Sequence, residues 1–116
     1  MLANKVKERA AQHFEKIKAI RHHLHANPEL SFQEENTGKF IASILDELGI
    51  EYTSGWAGHG IVALIKGNKN SGKTIMLRAD IDALPIKEEN NVSYKSGNEG
   101  IMHACGHDVH TSCLLG

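Results

Sequence analysis

At Gly49 the spacing of apolar residues changes, and that change limits the fold more than any other feature of the chain. Before it, Val6, Ala10, Phe14, Ile17, Ile20 and Leu24 recur at three- and four-residue steps between Lys, Glu and Arg. This is the period of an amphipathic helix over residues 4–26. Asn27 precedes Pro28, and a residue before proline is pushed out of helical conformation, so the helix should end there. Ser31 and Glu34 stand at capping-box spacing. A second helix follows, with a buried stripe of Thr37, Ile41, Ile44, Leu45 and Leu48 and Gly49 as its left-handed stop.

After Gly49 the apolar runs are short and glycine-bounded. Residues 50–54, 61–66 and 74–79 are expected as strands, with loops at 55–60 and 87–100. The runs at 61–66 and 74–79 are expected side by side in one sheet whose faces the helices cover. This predicts an α/β fold: a partial three-layer sandwich with a mixed sheet and packed helices.

The chain has 116 residues, enough for one domain with a core of its own. A net charge of -1 and 41% hydrophobic residues mark an ordinary globular composition with no charge signal for a nucleic-acid partner. No stretch approaches the ~20 apolar residues of a membrane span, and a cytoplasmic location is expected. The two cysteines, Cys105 and Cys113, are expected as free thiols, Cys113 as a core residue on an apolar helical stretch.

Residues 67–74, from Gly67 to Thr74, match the phosphate-loop pattern G-x-x-x-x-G-K-[ST]. Such a loop binds phosphate because a strand delivers its glycines to a helix N-terminus. Here strand-like residues and then Pro85 follow, so the stretch is expected to be a polar hairpin connection rather than a nucleotide site.

Two segments carry chemistry that the scaffold does not use. In L-R-A-D-I-D-A-L-P, Asp80 and Asp82 stand at i and i+2, which puts both carboxylates on one side of an extended chain. In M-H-A-C-G-H-D-V-H, His103, Cys105, His107, Asp108 and His110 crowd together. A thiolate and an imidazole one glycine apart suit a zinc-like ion and disfavour magnesium or calcium.

These two segments and R-H-H-L-H-A-N-P-E-L-S-F-Q-E-E (residues 21–35) resemble, in order and spacing, the N-terminal part of the amidohydrolase branch of the aminoacylase/carboxypeptidase-type metallopeptidases. That branch includes hippurate hydrolases, N-acyl-amino-acid and N-acetyldiaminopimelate deacylases, and auxin-conjugate hydrolases. The resemblance implies a cytoplasmic enzyme with two divalent metals (Mn, Zn, Co or Ni) that hydrolyses the amide bond of N-acyl amino acids or short peptides through a metal-activated water. It implies Cys105 and His107 as metal ligands and Asp82 as the catalytic carboxylate that orients a ligand. Asp80, His103, Asp108 and His110 fall in supporting or pocket positions.

The resemblance also implies that residues 1–116 are the first part of a catalytic domain. The remaining ligands, the general base and an inserted smaller domain would lie outside them. The isolated chain is therefore expected to be an inactive fragment. The alternative is a non-catalytic metal-binding or self-associating module, because an incomplete sheet leaves an edge and an apolar face open.

Overall fold

The computed structural model describes every residue except Asn70. Helix α1 (Leu2–Ala26) is followed by α2 (Glu35–Glu47), strands β1 (Glu51–Trp56) and β2 (Gly60–Leu64), and helix α3 (His107–Leu115). The core forms where the three helices meet: Ile20 and Leu24 of α1 pack on Ile44 of α2, with Phe40 and Leu115 against them. Only the C-terminal half of α1 has neighbours, so Val6 and Phe14 of its apolar stripe remain exposed. In α2 the expected stripe is buried from Thr37 to Leu45, but Leu48, on the last turn, is exposed. Gly49 follows at φ 66°, the left-handed stop.

The capping box does not form. Ser31 donates to Asp82 instead, and α2 has no side-chain cap from its own N-cap residue. Glu29 fills the role from outside the helix. Its carboxylate accepts the backbone N–H of Thr37 at 2.6 Å and of Asn36 at 3.2 Å, together with the Thr37 hydroxyl at 2.7 Å.

Strands β1 and β2 form an antiparallel hairpin, Glu51 opposite Leu64 and Ser54 opposite Ile61, with an irregularity at Gly55. Helix α2 lies close to the hairpin turn because Gly38 has no side chain. A Cβ there would sit 2.9 Å from the His59 carbonyl oxygen.

The expected strand at 74–79 does not form, so the pairing of 61–66 with it is replaced by pairing with β1. A strand needs a neighbour for half of its hydrogen bonds, and none of the described segments lies alongside 74–79. Ile75, Met76 and Leu77 are exposed, Met76 at 85%. The glycine-rich stretch from Gly67 to Thr74, which includes Asn70 outside the described residues, leads into extended chain with no helix. Among the described residues no helix N-terminus follows this stretch at which a phosphate could sit.

The segment around Ala83 joins the two ends of the molecule. Ala83 bridges Leu30 in parallel and Leu84 bridges Met102 antiparallel. The Ala83 N–H donates to the Glu29 carbonyl at 2.8 Å, and Leu84 and Met102 exchange two bonds of 3.0 Å. These bonds bring the turn after α1, the carboxylates at 80 and 82, and the approach to α3 into one place.

Candidate metal centre

His107 is the first residue of α3, entered through Gly106 at φ 88°. Its ring Nδ1 lies 2.9 Å from the Asp82 carboxylate and 3.0 Å from the Asp82 carbonyl oxygen. An ionised carboxylate only accepts, so Nδ1 is a protonated nitrogen, and in the neutral ring Nε2 carries the lone pair. Nε2 faces the Asp80 carboxylate at 3.8 Å. This carboxylate–imidazole arrangement is the one that orients a metal-ligating histidine in metalloproteins.

Asp82 is itself held. The Ser31 hydroxyl donates to its other oxygen at 2.5 Å. That bond, against the opposing effect of partial burial and with help from His107, keeps the Asp82 carboxyl below the ordinary aspartate range. Asp80 is paired with Arg78 at 2.5 Å on the exposed side.

Cys105 is exposed, as is Cys113, so Cys113 is not the expected core residue. On a nine-residue helix lying on α1, it faces outward. His110 is exposed on α3, its ring centroid 6.0 Å from that of His107.

Asp108 and His103 turn inward instead. Asp108 is 1% exposed and accepts from Arg21 Nε at 2.9 Å, with His25 Nδ1 at 2.7 Å. His103 is 5% exposed and neither ring nitrogen has a hydrogen-bond partner. Burial pushes the His103 ring below the ordinary histidine value, outweighing the Asp108 carboxylate that would raise it.

Reading the sequence missed Ser31, Arg21, His25 and Glu88 as neighbours of this site. Arg21 and His25 carried a signal: they are four apart, on one face of a helix. Ser31 and Glu88 carried none, since each reaches its partner across more than fifty residues of chain.

The donors suit a borderline metal ion: a solvent-accessible thiol, an imidazole with its lone-pair nitrogen free, and a carboxylate beside it. They do not complete a site. Among the described residues no group of three or more His, Cys, Asp or Glu side chains converges to hold an ion.

Residues 76–116, which contain Asp80, Asp82 and the whole His103 to His110 cluster, match peptidase family M20/M25/M40. An alignment 116 positions long, at 47% identity, with thermostable carboxypeptidase 2 of Saccharolobus solfataricus covers 99% of this chain and 29% of that protein. The N-acyl-L-amino acid amidohydrolase of Geobacillus stearothermophilus is 49% identical over 98 residues, 84% of this chain and 26% of that one. The crystal structure of Bacillus subtilis YXEP, described as a dinuclear metal binding peptidase of the M20 family, superposes with a TM-score of 0.82 at 44% identity. That superposition covers 87% of this chain and 28% of YXEP.

Over residues 76–116 the chain is similar to the M20 peptidase family. Its α/β fold matches part of an M20 peptidase structure, and it spans between a quarter and a third of the length of these relatives. The relatives are hydrolases by name, amidohydrolase or carboxypeptidase, and the candidate metal centre lies wholly inside the M20 match.

Proposed function

We propose that residues 1–116 supply part of the two-metal centre of an amidohydrolase acting on N-acyl amino acids or short peptides. Cys105 and His107 serve as ligands and Asp82 as the carboxylate that orients His107. The observation that carries this reading is the His107 ring itself, held through Nδ1 by Asp82 at 2.9 Å so that Nε2 is turned toward Asp80. When bound, the metals (Mn, Zn, Co or Ni) would polarise the amide carbonyl and acidify a water. The chain's own part is to present the thiolate and the imidazole, to keep the imidazole in the Nδ1–H tautomer, and to hold an ionised carboxylate at Asp82.

With two such ligands and no third donor converging among the described residues, the 116-residue chain by itself should not turn over substrate. A chimera tests the reading directly: residues 1–116 replace the matching region of the Geobacillus stearothermophilus amidohydrolase. The chimera should hydrolyse N-acetyl and N-benzoyl amino acids and lose that activity with Cys105→Ser. A folded, metal-loaded chimera that leaves these amides intact would overturn the assignment, as would hydrolysis by the purified chain alone.

A second reading, a self-associating module, is favoured by the exposed apolar residues Ile75, Met76 and Leu77, and by the exposed Val62 and Leu64 of β2. Sedimentation of the purified chain decides it: a concentration-dependent dimer that Met76→Lys abolishes supports it, and a monomer at all concentrations removes it.

A further inference from the structure

Three buried side chains, His25, Glu88 and Asp108, and the partly exposed Arg21 cluster next to the candidate metal centre, and none of the chemistry above uses them. His25 on α1 is 2% exposed and lies between two carboxylates. Its Nδ1 is 2.7 Å from Asp108 and its Nε2 is 2.8 Å from Glu88, themselves 1% and 3% exposed. Arg21, one turn earlier on α1, donates to the same Asp108 oxygen at 2.9 Å. Glu88 also accepts the Ser96 N–H at 2.6 Å and the Asn90 amide at 3.2 Å. Arg21 Nη2 also lies 3.3 Å from His25 Nδ1, so the four side chains form one connected cluster.

Stability alone does not account for such a cluster, since well-packed apolar side chains of the same volume often serve as well or better. Its position suggests what it does. Asp108 is the second residue of α3 and His107 the first. Neighbouring residues on a helix are fixed about 100° apart around the axis, so anchoring one sets the direction of the other. Asp108 is anchored at both ends: its side chain by Arg21 and His25, its carbonyl by the Ser112 hydroxyl at 2.6 Å. The preceding Gly106 is left-handed and gives the turn no side-chain cap, so the direction of the first turn must be set from inside.

We propose that Arg21, His25, Glu88 and Asp108 form a positioning network that sets the angle of the first turn of α3 and thereby holds the His107 ring against Asp82. Arg21 and His25 are positioning residues: they act on His107 through Asp108 and touch no reacting atom.

The test uses the metal-free chain and nitrogen NMR of the His107 ring. The wild type should show an Nδ1–H protected from exchange. Asp108→Asn and Glu88→Ala should lose that protection while circular dichroism shows the helices intact. Glu88→Gln, whose amide oxygen can still accept from His25 Nε2, should recover most of it. Leu24→Ala, a core truncation outside the network, destabilises the fold and should leave the signal unchanged. If Asp108→Asn or Glu88→Ala fails to fold, Arg21→Gln, which removes the contacts to Asp108 and His25 at a partly exposed residue, gives the same reading.

A second readout, cobalt titration at matched folded fraction, rests on the assignment of His107 as a ligand. Affinity should fall about 10- to 100-fold in the network variants. Persistence of the protected Nδ1–H in folded network variants overturns the network. A wild-type chain that shows the protected Nδ1–H but takes up no cobalt instead overturns the ligand assignment and leaves the network standing.

Discussion

His107 turns Nδ1 toward the Asp82 carboxylate at 2.9 Å, while the Ser31 hydroxyl, from the turn between α1 and α2, holds the other oxygen of the same carboxylate at 2.5 Å. One side chain thus ties α3 to the turn between α1 and α2. Asp82→Ala removes the acceptor and frees the ring. Cobalt affinity, measured by competition with a chromophoric chelator, should fall about 10- to 100-fold. An unchanged affinity would mean that the imidazole is oriented by something other than Asp82.

Cys105 stands two residues before His107, and its side chain is open to solvent. Cobalt bound to the wild-type chain should therefore show a thiolate charge-transfer band. Cys105→Ser should abolish that band, and Cys105→Ser combined with His107→Ala should bring the metal content by elemental analysis down to background. Equal metal in the wild type and the double variant would remove both residues as ligands.

Glu88 makes the fold sensitive to acid. Burial pushes its carboxyl upward, but the Ser96 N–H, the His25 ring and the Asn90 amide outweigh that and take it from the ordinary value of 4.5 down to about 2. A depressed carboxylate stabilises the fold fully above its unfolded pKa, and that stability is lost as pH falls through the folded value. The contribution is up to about 3 kcal/mol, disappearing between roughly pH 4.5 and pH 2. Urea midpoints at about pH 7 and about pH 3 should differ strongly in the wild type and much less in Glu88→Gln. Parallel declines in the two proteins would refute the assignment.

Glu29 caps α2 from outside, and its three bonds to Asn36 and Thr37 named above hold its carboxyl below the ordinary glutamate range despite partial burial. Glu29→Ala should lose about 1–2 kcal/mol of stability, the usual loss for a removed N-terminal cap. Ser31→Ala, at the residue whose spacing suggests the cap, should leave the amide protection of the first turn of α2 unchanged. Hydrogen exchange at Asn36 and Thr37 separates the two.

Local rules determined the parts of this protein that depend on neighbours in sequence. The 3.6-residue period set both long helices, Pro28 and Gly49 set their ends, and the spacing of Cys105, His107 and Asp82 marked the candidate ligands and their family. Each of these is a property of a few consecutive residues, so it is visible without the fold. Tertiary structure decided what those residues meet. Ser31 has the spacing of a cap but finds Asp82, so Glu29 takes the cap. The run at 74–79 has the composition of a strand but no partner to complete its hydrogen bonds. Asp108 carries a motif residue's charge but turns inward to His25 and Arg21, more than eighty positions away. Hydrogen bonds and ion pairs are satisfied by whatever the packed chain brings within about 3 Å, and for a polar side chain that partner is chosen by the whole fold.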